Sequence, residues 1–138
     1  MRVLGIDLGS RRIGIAVSDP SGTIASPHTV IERTKDQQDT HRRIAALIAE
    51  TESERVVVGL PLSMDGSIGR AAQAALDEAA ALERVVGVPV ETYDERMTTV
   101  SADRSMMTHK MRAPERRKVV DKVAAAVMLQ SWLDGRKP

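Results

Sequence analysis

Val3-Leu4-Gly5-Ile6-Asp7-Leu8-Gly9-Ser10-Arg11-Arg12-Ile13-Gly14-Ile15-Ala16-Val17-Ser18 is the stretch that decides the fold class of this chain. Val3–Leu8 is a short, nearly continuous apolar run, which predicts a buried strand. Gly9-Ser10-Arg11 forms a turn. Arg12–Ser18 alternates, with Ile13, Ile15 and Val17 on one face and Gly14, Ala16 and Ser18 on the other. That pattern predicts a second strand returning beside the first. Asp19-Pro20-Ser21-Gly22 signals another turn. Thr23–Glu32 reads as a third extended segment, and its Pro27 assigns it to a sheet edge or a bend. Three strands with short turns make an antiparallel meander.

Beyond Glu32 the period changes. The polar stretch Arg33–Asp39 opens a helix with Ile44, Leu47 and Ile48 at helical spacing. Arg55–Gly59 is a buried strand and Pro61–Gly66 a loop. From Ser67 an alanine-rich helix carries Ala72, Ala75, Leu76, Ala79, Leu82 and Val86 on one stripe, ended by Gly87 and Pro89. Pro89–Glu95 is a strand. Thr98 or Thr99 caps a short helix carrying Val100, Met106 and Met107, and His109–Ala113 is a basic connector. Pro114 suits the first turn of a last helix that runs to about Asp134. The order β-β-β-α-β-α-β-α-α predicts an α/β fold with a mixed central sheet flanked by helices, because strand–helix–strand units need parallel crossovers. No repeat or linker divides the chain, so residues 1–138 are expected to form a single domain.

Composition narrows the chemistry. The 138 residues are 42% hydrophobic and 28% charged, an ordinary globular balance. Cysteine is absent, which excludes a disulfide framework, a thiolate zinc site and a catalytic thiol. No uncharged run approaches the roughly 20 apolar residues of a membrane helix. Asp7 stands where a signal peptide would have its apolar core, so a cytoplasmic protein is expected. Lys+Arg is 20 and Asp+Glu 19, and 15 of the cations are arginine, the side chain whose planar fork matches phosphate. Arg104–Lys122 holds seven cations against two acids, a local excess that suits a polyanionic partner. With no phenylalanine, one tyrosine and one tryptophan, the chain lacks the stacking platforms that readers of single strands use.

Three acids stand out of place. Asp7 closes an apolar strand. Glu95 ends the strand Pro89–Glu95, beside Asp94, which alternates to the opposite face. Asp121 leads a helical stripe of Ala124, Ala125, Met128 and Trp132. A buried carboxylate requires a cation, a hydrogen-bond network or a metal. An ion pair with Arg117 or Lys118, one turn away, would account for Asp121. Alternatively, if the strands ending in Asp7 and Glu95 are neighbours and the last helix crosses that end, the three acids converge. Such a cluster repels itself unless divalent cations bind, and its hard oxygen ligands select Mg²⁺ or Mn²⁺ over zinc. His28, His41 and His109 are dispersed, and the chain has neither a nucleophile elbow nor a GxxxxGK[ST] loop. Carboxylates with such a cation beside an arginine-rich helix point to phosphodiester hydrolysis.

Asp7-Leu8-Gly9-Ser10-Arg11-Arg12-Ile13-Gly14-Ile15-Ala16-Val17-Ser18-Asp19 resembles the opening motif of the YqgF/RuvX family, RNase H-like Holliday junction resolvases and pre-16S rRNA nucleases of bacteria. Gly59-Leu60-Pro61-Leu62-Ser63-Met64-Asp65-Gly66-Ser67 is similar to its central loop. Asp94-Glu95-Arg96-Met97-Thr98-Thr99 is similar to its acidic strand end, and Asp121–Leu133 to its closing helix. Ser63, Met97 and Met128 depart mildly from the family pattern. The resemblance implies an RNase H-like fold and an endonuclease in which Asp7, Glu95 and Asp121 hold Mg²⁺ or Mn²⁺. Its substrate would be the 5′ end of pre-16S rRNA, a four-way DNA junction, or both.

Several basic and turn residues are candidates for contacting phosphate: Gly9, Ser10 and Arg12 after the first strand, Arg96 beside Glu95, and Arg112, Arg116, Arg117 and Lys118 entering the last helix. Arg96 alternatively steadies the acids, and Gly9 alternatively serves turn geometry alone. Whether Asp94 or Asp65 joins the site is open at this stage. Paired cuts in a four-way junction require a two-fold dimer, whereas trimming an rRNA end does not. A non-catalytic module that binds structured nucleic acid is the competing reading. An ATPase of the two-lobed kind, whose phosphate hairpin the opening motif also resembles, needs more than twice this length.

Overall fold

Strands β1 (Val3–Leu8), β2 (Arg12–Ser18) and β3 (Ala25–Glu32) form the expected antiparallel meander. Asp19 makes its second turn. Its carboxylate accepts from Thr23 N at 2.7 Å, Ile24 N at 3.0 Å and Ser21 Oγ at 2.6 Å. Gly22 takes the left-handed conformation there, with φ +71°. The computed structural model describes residues 1–98 and 113–136, and of 113–118 the backbone alone. After β3 come α1 (Gln37–Thr51), β4 (Arg55–Leu60), α2 (Arg70–Glu83), β5 (Val90–Asp94), a 3₁₀ turn (Glu95–Met97) and α3 (Ala113–Gly135). The short helix expected with Val100, Met106 and Met107 lies outside the described residues.

The sheet order is β3-β2-β1-β4-β5, with β4 parallel to both β1 and β5. Pro27 is on an edge strand, and the β2–β3 register also shifts between Ile15 and Ala16, where Ala16 meets Pro27. Two differences from the sequence reading bear on the site. The strands carrying Asp7 and Glu95 are not neighbours, because β4 lies between them. β5 stops at Asp94, whose carboxylate accepts from Arg96 N at 2.9 Å and starts the 3₁₀ turn, so Glu95 lies on the turn. Helix α2 likewise starts at Arg70 and not at Ser67. The Ser67 amide and hydroxyl are held by Asp65 at 2.9 and 2.6 Å in a separate loop turn.

Alternation along the strands builds two apolar layers. Leu4, Ile6, Ile13, Ile15, Val56 and Val58 pack on Ile44 and Ile48 of α1 and on Ala79 and Leu82 of α2. On the opposite face Val3, Ala16 and Val57 pack on Ala125, Met128, Leu129 and Trp132 of α3. Helix α3 approaches closely because two strand residues lack side chains. A Cβ on Gly5 would lie 2.8 Å from that of Leu129, and a Cβ on Gly14 would collide with the carbonyl of Asp121. Polar pins fix the helix in register. Tyr93 Oη and Ser131 Oγ are 2.8 Å apart, and Ser131 Oγ donates to Met97 O at 3.2 Å. At the outer edge, Gln130 accepts from Ala25 N at 2.8 Å and donates to Thr23 O at 3.0 Å.

Candidate active site

Asp7 is near the end of β1 with its side chain on the α3 face, the parity of Val3 and Gly5. Its cross-strand partner on β2 is Gly14. On the other side the β1–β4 register ends with Ile6 opposite Val58, so Gly59 follows as the next residue of β4. Two glycines therefore flank the aspartate. Each space is filled from above by another acid's element. The α3 backbone at Asp121 rests over Gly14, and the Glu95 side chain lies over Gly59, where a Cβ would strike its Oε1. This is how the fold joins acids on β1 and beyond β5. Glu95 reaches across β4 because β4 has no side chain there.

Asp7 and Glu95 meet in a hydrogen bond between carboxyls. Burial pushes the Glu95 carboxyl up to about 7, aided by the charge of Asp7, the hydrogen bond with Asp7 and the charge of Asp94. Two carboxylates in contact cannot both ionise readily, so one proton is held between them. Asp121 is placed differently. Its Oδ2 accepts from Arg12 Nε at 2.7 Å, in a pair about three-quarters buried on both sides. The acid is ion-paired, as the helical stripe allowed, to Arg12 on β2, while the side chains of Arg117 and Lys118 lie outside the described residues. Among the described residues, no three Asp, Glu, His or Cys side chains are grouped closely enough to hold a metal. The structure thus brings Asp7 and Glu95 into contact and turns the Asp121 carboxylate to Arg12.

The phosphate candidates divide. The Gly9 amide donates to Arg12 O at 3.0 Å, closing the hairpin, and a Cβ on Gly9 would strike that carbonyl. Gly9 therefore serves turn geometry, and its amide is not offered to a phosphate. Ser10 lines an open cleft beside this turn. Arg96 steadies the acidic turn. Its Nη2 donates to Asp94 Oδ2 at 2.7 Å and its Nη1 to Met64 O at 3.3 Å, tying the 3₁₀ turn to the loop after β4. Hydrogen bonding by Arg96 holds the Asp94 carboxyl below its ordinary value, and bonds from Ser67 do the same for Asp65. Each is thus engaged in its own turn and not with Asp7. Arg112 lies outside the described residues, as do the side chains of Arg116, Arg117 and Lys118.

One buried cluster escaped the sequence reading. Glu78 of α2 accepts from Arg33 Nη1 and Nη2 at 3.0 and 2.7 Å and lies 2.9 Å from His41 Nε2 of α1. Burial alone would raise the Glu78 carboxyl, but hydrogen bonds from Arg33 and His41 and their charges leave it below its ordinary value. The same Arg33 donates through Nε to Gly9 O at 2.7 Å, so the cluster anchors the turn that follows Asp7. The signal was present. Glu78 is three residues past Ala75 and four before Leu82, on the apolar stripe, and His41 occupies the inner face three residues before Ile44.

Known proteins resemble this chain in sequence and fold. A family model described as "RuvX: Holliday junction resolvase" matches residues 1–135. A relative from Mycobacterium tuberculosis (strain ATCC 25618 / H37Rv), provisionally named a pre-16S rRNA nuclease, is 50% identical over 137 residues, covering 98% of this chain and 79% of its own. A relative of the same name from Mycobacterium sp. (strain KMS) is 47% identical, over 99% of this chain and 81% of its own. Among solved structures, Thermus thermophilus RuvC in complex with a Holliday junction substrate aligns with TM-score 0.62 at 18% identity, covering 98% of this chain and 96% of that one. That likeness establishes the RNase H-like fold. The chain belongs to the RuvX family of Holliday junction resolvases, a family of nucleases that act on structured nucleic acid.

Proposed function

We propose that this protein is a divalent-metal-dependent endonuclease that hydrolyses phosphodiester bonds in pre-16S rRNA near its 5′ end, in four-way DNA junctions, or in both. The observation that carries the reading is the Asp7–Glu95 pair, two carboxyls held in contact at the end of the sheet and retaining a proton to about pH 7. A pair of hard oxygen donors whose mutual repulsion is relieved only by a proton suits Mg²⁺ or Mn²⁺ in the proton's place. Asp7 and Glu95 would hold the ion, joined by Asp121 once Arg12 lets it go. When bound, the ion supplies Lewis-acid activation of a water and charge stabilisation at the phosphate. The chain's own residues do the rest. Asp7 and Glu95 release their shared proton. Arg12 leaves the Asp121 carboxylate for an incoming phosphate, a partner its fork fits equally well. Arg96 keeps Glu95 in place by fixing the turn on which it stands. Arg112, Arg116, Arg117 and Lys118 supply affinity for the polyanion.

Purified protein should be incubated with immobile four-way DNA junctions and with precursor rRNA, each in Mg²⁺ and in Mn²⁺. Asp7→Asn should abolish cleavage and preserve binding. Wild-type cleavage rates in that variant would sink the reading. If the junction is the substrate, the active species is a two-fold dimer making paired cuts, and light scattering on the junction complex tests this. Among the described residues no helix is long and apolar enough to cross a membrane, and we place the reaction in the cytoplasm. The Arg12–Asp121 pair favours a second reading, a module that binds structured nucleic acid without cutting it. Binding of both substrates with no cleavage in either metal would select that alternative.

A further inference from the structure

Beside the hairpin turn that follows Asp7, the surface opens into a cleft of about 530 Å³. One wall is that turn, with Ser10, Arg11 and Arg12. The other is the segment leading from β3 into α1, with Arg33 and Lys35, and Glu32 contributes an acid. The walls are fixed to each other. Arg33 N donates to Arg11 O at 2.9 Å, and Arg33 Nε to Gly9 O at 2.7 Å. Arg33 is itself held by both oxygens of Glu78. Arg12 is engaged with Asp121. The cleft therefore has a cationic floor whose guanidiniums have protein partners before any ligand arrives.

Arg11 and Lys35 differ. Both are exposed, and among the described residues neither side chain has a hydrogen-bond or ion-pair partner. Scattered surface cations need no explanation. These two stand on opposite walls of one concave, positively charged depression, where field lines concentrate. The lining has no large apolar side chain, whereas sites for small organic ligands are mostly apolar. The position also matters. Arg12 lies two residues from Gly14, the cross-strand partner of Asp7. That is about 7 Å along the strand, the rise of about two nucleotides in a duplex.

We propose that this cleft is a docking site for the sugar-phosphate backbone flanking the point of cleavage, with Arg11 and Lys35 each neutralising a phosphate. The inference rests on the nuclease reading above and adds a second anchoring track, on the opposite side of Asp7 from Glu95. It accounts for an Arg-Arg pair at the hairpin tip when one of the two, Arg12, already has an internal partner.

The test is equilibrium binding of a fluorescent four-way junction and of precursor rRNA between 50 and 200 mM salt, without cleavage-supporting metal. Wild type is compared with Arg11→Ala/Lys35→Ala and with Arg84→Ala, an exposed cation after α2 at the far end of the sheet. Each duplex phosphate contact contributes about 0.9 to the slope of log K against log salt. The double variant should therefore bind less tightly at every salt concentration, with a slope shallower by about 1.8, and Arg84→Ala should match wild type. Circular dichroism and melting of the double variant should be unchanged, because both side chains are solvated. If wild type binds and the double variant has the same affinity and slope, the cleft is not a docking site and the nuclease reading stands. If wild type binds neither substrate, both fall. A free nucleoside monophosphate that binds wild type tightly and the double variant poorly, with junction affinity unaltered, would assign the cleft to a small ligand and overturn the proposal.

Discussion

In the absence of a divalent cation Glu95 keeps its proton to about pH 7, against an ordinary value of 4.5. The unfolded chain gives that proton up earlier, so between these values the folded state binds more protons and loses stability as pH rises. Urea denaturation should therefore give a lower stability at pH 8 than at pH 5. Glu95→Gln should remove that part of the pH dependence. Saturating Mn²⁺ should do the same in wild type, and isothermal titration at pH 6.5 in buffers of different ionisation enthalpy should register proton release. Arg12 offers a second residue-level test. Arg12→Ala frees the Asp121 carboxylate and should tighten Mn²⁺ binding severalfold while weakening nucleic-acid binding. Unchanged Mn²⁺ affinity would remove Asp121 from the ligand set.

At the scale of elements the two glycines beside Asp7 are not equivalent. Gly14 meets backbone, the carbonyl of Asp121, which cannot swing aside without moving α3. Gly14→Ala should therefore cost about 1–3 kcal/mol, as overpacking does, and should lower the melting temperature. Gly59 meets the free end of the Glu95 side chain. Gly59→Ala should fold with near-wild-type melting but push Glu95 away from Asp7, lowering the Glu95 pKa and abolishing cleavage. NMR titration of the glutamate carboxyl separates the two outcomes. These contacts also mark where sequence reading stops. The alternation of Arg12–Ser18, the alanine stripe of α2 and the turn at Asp19 are local patterns, so strand and helix identities were legible. Asp7 and Asp121 were legible because each broke an apolar pattern, and Glu95 because it ended a strand beside Asp94. That β4 lies between the strands of Asp7 and Glu95, and that Gly59 lets one acid reach the other, depends on strand order, which local pattern does not encode. Glu78 was passed over because a single glutamate among alanines looks like a solvated position until His41 and Arg33 are brought to it.

At the scale of the molecule Glu78 is a tie among separate parts, joining α2 to His41 of α1 and, through Arg33, to the turn after β1. Glu78→Ala would leave Arg33 and His41 facing a buried gap and should cost about 3–5 kcal/mol, measured by urea denaturation at pH 7. The Glu78 carboxyl lies below its ordinary value in the folded state. Its contribution is therefore present above about pH 4.5 and is lost as pH falls through the folded value. Acid unfolding of wild type should be steeper than that of Glu78→Gln.

Helix α3 has a consequence for synthesis. It is made after β1 through β5, yet it covers Val3, Ala16 and Val57 and brings Asp121 to the sheet. Domains begin to fold as they emerge from the ribosome. A nascent chain that has released β1 through β5 holds a sheet greasy on one side and lacks Asp121, the third ligand of the proposed site. An enzyme of this class is made on the machine whose RNA its relatives are named for cutting. On the function proposed above, that order of emergence leaves it chemically unarmed until α3 has been translated and docked.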